Sequence, residues 1–329
     1  MKHARYTGFA ACSGCSLCLL ACPVWDATRD IRLTPHGRAK ALQHGATAYD
    51  LAASLDTCTL CGACEPACPE EIDLVSMVLD LRSALNHSPS VPIISTPPAS
   101  KAAQKIVIVP DSALTSDAAL LALVQQAFGG DHKARMVFDN GADIALALEA
   151  GTAISDERRI EFLAALRLES VERLIVGDGI LLRALRHWLP NMQIESLGVA
   201  MSSLSTVKNQ LLASDFYVIE ARAYHADRER LVQHYDGLRI QYGCAMNLDL
   251  QRLAISTTAT SLPMRLGRNV VDPYERARWI LQGYEFSRVI VEDLNELAVF
   301  SAVTSQPVIY LAQLVSELNH HISLTNSKE

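Results

Sequence analysis

Two short cysteine runs constrain this chain more than anything else in it. The first reads Cys12-Ser-Gly-Cys15-Ser-Leu-Cys18-Leu-Leu-Ala-Cys22-Pro23 and the second Cys58-Thr-Leu-Cys61-Gly-Ala-Cys64-Glu-Pro-Ala-Cys68-Pro69. Both fit C-x-x-C-x-x-C-x-x-x-C-P with no departure, which is the bacterial-type ligand pattern of 4Fe-4S clusters. Three closely spaced thiolates let a short loop wrap three corners of a cube, while the fourth leaves on a helix and points to the neighbouring cluster. By that rule Cys12, Cys15, Cys18 and Cys68 hold one cluster, and Cys58, Cys61, Cys64 and Cys22 hold the other. A disulfide framework needs an oxidising compartment and usually a small secreted chain. Zinc modules are built from separated cysteine pairs rather than two matching triplets with a trailing Cys-Pro. Two 4Fe-4S clusters are therefore the expected cofactors. No Ser-His-Asp, Walker or zincin motif accompanies them, so no catalytic residue is assigned.

At 329 residues the chain is too long for one ordinary core, and two domains are expected. Hydrophobic residues at 50% and charged residues at 20% exclude a disordered or collagen-like chain. A formal net charge of -7, from 36 acidic against 29 basic side chains, offers no basic footprint for nucleic acid. The longest apolar stretches, such as 118–124, fall far short of the roughly 18 to 20 residues needed to cross a bilayer. No signal-peptide pattern opens the chain. The expectation is a soluble, cytoplasmic protein that reaches a membrane, if at all, through a partner.

A proline-rich stretch over 88–100, with Pro89, Pro92, Pro97 and Pro98, reads as an extended linker. It separates a two-cluster domain (1–87) from an α/β domain (105–329), with the linker itself over 88–104. The first domain is expected to be helical, with helix-compatible stretches over 37–55 and 73–85. In the second, short β-branched runs alternate with amphipathic stretches, as in βα units around a parallel sheet. Strands are expected over 106–109, 136–138, 174–176, 216–220, 289–291 and 308–310. Helices are expected over 117–128, 156–168, 179–188, 202–212, 227–235, 273–281 and 294–303. Laying 155–197 over 271–311 pairs Arg173-Leu-Ile-Val-Gly-Asp178 with Arg288-Val-Ile-Val-Glu-Asp293. Similarity of any two βα units competes with a true tandem repeat as its source; the repeat is the preferred reading.

Between the runs, Thr34-Pro35-His36-Gly37-Arg38 reads as a helix start. With it, residues 8 to about 85 resemble the α-helical two-cluster ferredoxin domain in the iron-sulfur subunits of succinate dehydrogenase, fumarate reductase, glycolate oxidase and heterodisulfide reductase. Those subunits often carry Ser-Pro-Arg-Gly-Arg here; Thr34 and His36 depart from it. Arg38 and Lys40 either offset the charge of thiolate-ligated clusters or stand as solvated surface charge. The second domain resembles the tandem cysteine-rich, CCG-type region of glycolate oxidase and heterodisulfide reductase subunits, giving a Rossmann-like, pseudo-repeated α/β architecture. It departs from that family in its cysteines, because only Cys244 remains, and one thiol cannot hold a cluster. The domain therefore reads as a degenerate copy. Cys244 is expected to be an inert buried thiol, Gly177-Asp178-Gly179 a turn, and His225, His234, Asp227 and Asp236 a solvated helix face.

Two four-iron clusters make a one-electron relay. The leading expectation is an electron-transfer subunit of a multi-subunit oxidoreductase. The resemblance implies a flavoprotein partner on one side and another carrier or quinone on the other. Two alternatives are a self-contained reductase acting on a small disulfide or 2-oxo acid, and an iron-sulfur sensor or assembly protein.

Overall fold

A computed structural model describes residues 8–85, 104–130 and 133–315. The expected linker, Gln104 apart, lies outside the described residues. Within 8–85 every regular element is helical: Leu17–Leu20, Pro23–Thr28, Pro35–Gln43, Ala52–Thr57 and Leu74–Leu85, with 3-10 turns at Gly8–Ala11 and Ile31–Leu33. The prolines after Cys22 and Thr34 occupy first helical positions, where a missing N–H costs nothing. Thr34 Oγ1 caps the second of these helices from Gly37 N at 3.2 Å. Gly37 admits no side chain, because a Cβ would sit 2.0 Å from the Ile31 carbonyl oxygen. The stretch over 37–55 is not one helix. Its alanines favour helix, but Gly45 adopts φ +89° and Asp50 Oδ2 accepts from Thr47 N and Oγ1, fixing a turn between Pro35–Gln43 and Ala52–Thr57. Helix Leu74–Leu85 carries the apolar stripe that closes this domain, with Leu74, Val75, Met77, Val78 and Leu81 buried against Leu51, Leu55 and Leu60.

Among the described residues the second domain holds eight strands: β1 (Ile106–Val109), β2 (Ala134–Met136), β3 (Arg173–Val176), β4 (Ile194–Ser196), β5 (Asp215–Val218), β6 (Ala245–Met246), β7 (Arg288–Val291) and β8 (Val308–Tyr310). They form two parallel four-stranded sheets, ordered β2-β1-β3-β4 and β6-β5-β7-β8. Continuous apolar runs such as Ile106-Val-Ile-Val109 suit strands covered on both faces. One core joins the sheets, with Ile108 and Ile175 of the first packed into the cluster of Phe216, Val289 and Ile290 of the second. Three sequence expectations shift, and one helix is new. The strand expected over 136–138 lies two residues earlier, leaving Phe138 71% exposed. The helix expected over 202–212 is two, Leu197–Ser202 and Ser205–Lys208, because Ser196 caps the first. The helix expected over 227–235 runs over Arg228–Tyr242 and ends at Gly243, φ +76°. Helix Ala142–Ala150 was not anticipated, since its Ala-rich sequence shows little amphipathic contrast.

Each inner strand ends in a carboxylate that caps the next helix. Asp111 accepts from Leu114 N after β1 and Asp178 from Ile180 and Leu181 N after β3. Glu220 does so for Arg222 and Ala223 N after β5, and Asp293 for Asn295 N after β7. The acidic turn common to 155–197 and 271–311 is thus a helix start, and the turn expected at Gly177-Asp178-Gly179 is this cap.

Glu149 ties the domains together. It accepts from Arg222 Nη2 at 2.5 Å, Leu262 N at 2.8 Å and Arg265 Nη2, while its carbonyl accepts Arg82 Nη1 of the first domain at 2.6 Å. Burial pulls the Glu149 carboxyl up, but Arg222 and Arg265 outweigh it and hold the group below the usual carboxylate range. Losing one partner of a buried pair of this kind costs about 3–5 kcal/mol, because the other charge is left unpaired. Nearby, Gly151 at φ +72° lets the chain pass so close that a Cβ would lie 2.4 Å from the Arg82 backbone.

Behind β5 and β7, Glu292 accepts from Tyr217 Oη and Tyr235 Oη, both at 2.7 Å, and from Glu220 N at 2.9 Å. Burial pushes Glu220, Glu292 and Asp293 up to about 7 and Glu296 up to about 8. A carboxyl raised in the folded state contributes stability that is present below its unfolded pKa, near 4, and lost as pH rises through the folded one. His225 and His234, pushed down to about 4 by burial, act in the opposite sense, but their contribution is complete above about pH 6.5. The thermal midpoint is therefore expected to fall between about pH 6.5 and 8. In Glu292→Gln that decline should be shallower, by up to about 1.4 kcal/mol per pH unit; curves parallel to the wild type would rule Glu292 out as a contributor.

Candidate metal centres

Both cysteine runs fold into the same kind of loop. The residues flanking the middle cysteine of each triplet have left-handed backbones: Gly14 (φ +85°) and Ser16 (+66°) around Cys15, Leu60 (+53°) and Gly62 (+80°) around Cys61. Alternating handedness gathers successive N–H groups on one side, a concavity shared by many anion and iron-sulfur sites. The rarity of positive φ for leucine marks Leu60 as held there by its surroundings.

Those surroundings grip the outside of the second loop. Arg82 Nη2 donates to the Cys58 carbonyl at 2.7 Å, Arg222 Nη2 to Thr59 O at 2.8 Å, and His225 Nδ1 to Cys61 O at 2.7 Å. His225 Nε2 accepts from Ala254 N at 3.2 Å, so the ring is the neutral Nδ1–H tautomer. Among the described residues, the first loop is gripped from within its own domain. Lys40 Nζ donates to Cys12 O at 2.9 Å and Gln43 Nε2 to the same oxygen at 3.0 Å.

Cys12, Cys15, Cys18 and Cys68 line one cavity; Cys22, Cys58, Cys61 and Cys64 line another. The two enclose about 340 and 400 Å³ of atom-free space, part of it open to solvent. Cys15 is exposed at the first, whereas Cys61 is buried at the second. Among the described residues no three His, Cys, Asp or Glu side chains close on a single-ion point. The thiols instead surround a space, the arrangement a multi-iron cluster requires and a tetrahedral ion, with sulfurs about 2.3 Å from it, does not. Burial pushes Cys18 up to about 11, Cys22 up to about 12, and Cys61 and Cys64 upward. These thiols keep their protons near neutral pH until a metal displaces them.

A further feature fits a cluster at the second site. Arg38 lines that cavity and is 1% exposed, not solvated; its Nη1 reaches Leu33 O, Ser54 O and Ser54 Oγ, while its Nε is buried with no acceptor. Thiolate-ligated iron and sulfide would supply one.

Residues 8–72 match the family model of the 4Fe-4S dicluster domain. The chain has no match among curated proteins or solved structures. The N-terminal domain is thus an iron-sulfur domain of ferredoxin-like type, suited to 4Fe-4S clusters and to electron transfer. It is followed by an α/β domain with parallel sheets. Among the described residues no helix is long and apolar enough to cross a membrane.

The expected solvated face bearing His225 and His234 is not found. His225 is buried on the second loop, His234 Nε2 pairs with Ser202 Oγ at 2.9 Å, Asp227 binds Arg186, and Asp236 binds Arg252. Cys244 is 1% exposed, and burial pushes its thiol up to about 11. Sequence reasoning missed Arg82 and Arg222. Arg82 did leave a signal: it falls four residues after Val78 on the buried stripe of its helix, where a charge needs a partner.

Gly62 is needed twice, for its positive φ and because a Cβ would lie 2.9 Å from His225 Cβ; at Gly14 a Cβ would meet only the flexible end of Lys40. Gly62→Ala is expected to lose about four of eight irons, and Gly14→Ala fewer, by iron analysis of anaerobically prepared protein. Equal losses would show that the His225 contact does not set the loop.

Proposed function

We propose that this chain is the electron-transfer subunit of a multi-subunit oxidoreductase, relaying single electrons between a flavoprotein and a further carrier or quinone. In this reading Cys12, Cys15, Cys18 and Cys68 ligate one 4Fe-4S cluster and Cys58, Cys61, Cys64 and Cys22 the other. The observation that carries it is the sorting of eight cysteines into two four-thiol cavities, one at the surface and one at the domain junction. When bound, such clusters supply one-electron steps without moving protons or groups. Leu17 and Leu20, exposed between the cysteines of the first run, offer apolar surface for a redox partner to cover.

The α/β domain is read as a degenerate tandem of the CCG type, serving as a docking platform. Two sheets of the same strand order support a duplication. Cys244, buried and protonated, gives disulfide chemistry no thiolate, which weighs against a self-contained reductase. A cytoplasmic location, with any membrane association through the partner, belongs to the same proposal.

Anaerobic affinity purification tests this reading. About eight irons and eight sulfides per chain are expected, together with a co-purifying flavoprotein identified by mass spectrometry. Stoichiometric zinc without iron would overturn the cluster assignment; a chain that turns over a disulfide or 2-oxo acid unaided would overturn the subunit role. Cys22→Ala is expected to damage the cluster held mainly by the second run, and selective loss of the other would reverse the ligand assignment.

A further inference from the structure

The two cavities differ in the charge around them, and the difference centres on Arg38. Its guanidinium is enclosed by the first domain and lines the second cavity beside Cys22, Cys58, Cys61 and Cys64. Nη1 is fully used by Leu33 O and by Ser54 O and Oγ, at 3.0 to 3.1 Å. Nε is buried and has no acceptor. Leaving a buried charged donor unpaired costs about 1–3 kcal/mol or more, yet the surrounding wall is mostly apolar, with Pro23, Val24, Val75 and Val78 among its residues. The sulfur-bearing face of the cavity remains. Arg82, most of whose surface is buried, adds a second guanidinium on the Cys58 carbonyl. At the first cavity Lys40 Nζ stands on the Cys12 carbonyl as Arg82 does on that of Cys58, and His36 pairs with Ser16 Oγ, but among the described residues none that lines it holds a buried donor without an acceptor.

From this asymmetry we infer that Arg38 Nε–H donates to a sulfur of the cluster held by the second run, making that cluster the higher-potential member of the pair. The inference rests on the two-cluster reading above. Reduction adds one electron, from a reduced carrier in the cell or from dithionite in the test, with no bond made or broken. A hydrogen bond and positive charge at sulfur stabilise the added electron, so it settles at the buried, domain-facing site rather than at the exposed one. Arg38 acts through the cluster as a tuning residue and not as a ligand.

The test is an anaerobic redox titration of the full chain followed by electron paramagnetic resonance. The wave of the second-run cluster is identified by its loss in Cys22→Ala. In Arg38→Gln, that wave should fall by at least tenfold in its reduction equilibrium, about 59 mV for one electron, while the other wave stays in place. Ser54→Ala, which removes an Nη1 acceptor but spares Nε, should leave both waves where they are. Preparations without iron would refute the two-cluster reading itself. With iron present, unchanged or equally shifted waves in Arg38→Gln would overturn the role of Arg38. Should that variant not fold, wild-type protein labelled with 15N-arginine decides: a hyperfine coupling from an arginine nitrogen to the reduced second-run cluster is expected, and its absence would overturn the proposal.

Discussion

The carbonyl oxygens of Cys58, Thr59 and Cys61 are held by three side chains drawn from both domains, Arg82, Arg222 and His225. Much else in the structure follows from that grip. With its carbonyls engaged outside, the loop can turn N–H groups towards its sulfurs, and Leu60 can be kept at a positive φ it would not choose alone. The same interactions oblige Arg222 to find a counter-charge, which is Glu149, and oblige Glu149 to be buried. Glu149 in turn brings Arg265 and the Leu262 amide to the junction. A loop that must hold soft, negatively charged ligands is thus connected through short ion pairs to the core of a second domain.

The two cavities consequently lie in different surroundings. The first is bounded by its own domain, with Cys15 exposed and apolar Leu17 and Leu20 beside it. The second has Arg38 in its wall, and its loop is held from outside by Arg82 and by Arg222 and His225 of the α/β domain. Desolvation makes every charge near it count for more than at the surface. On the proposed assignment, the Arg38 guanidinium raises the potential of the second site relative to the first.

The sequence was most legible where chemistry is local. A strict cysteine spacing needs no tertiary information to declare its ligand type, and Ile106-Val-Ile-Val109 or Pro273–Leu281 announce strand and helix by short-range pattern alone. Legibility failed where a long-range partner decides. His225 reads as a surface group, and Arg38 as either a neighbour of cluster charge or a surface charge, because nothing beside them in sequence decides; in the fold His225 is buried on Cys61, 164 residues away, and Arg38 lines the second cavity. The short strand Ala245–Met246 went unseen for the same reason, since it exists only by pairing with β5.

The sequence by itself determined the chemistry of the first domain, eight thiols in two matching runs, and left the second domain with Cys244 alone, too few thiols for a further protein-ligated cluster. It also determined the alternation of strands and helices, since hydrophobic period is a local property. Only the tertiary structure decided which of the two sites adjoins the second domain and where the buried charges point. Those outcomes depend on desolvation and on partners distant in the chain, and a buried arginine has the same letter in the sequence as an exposed one.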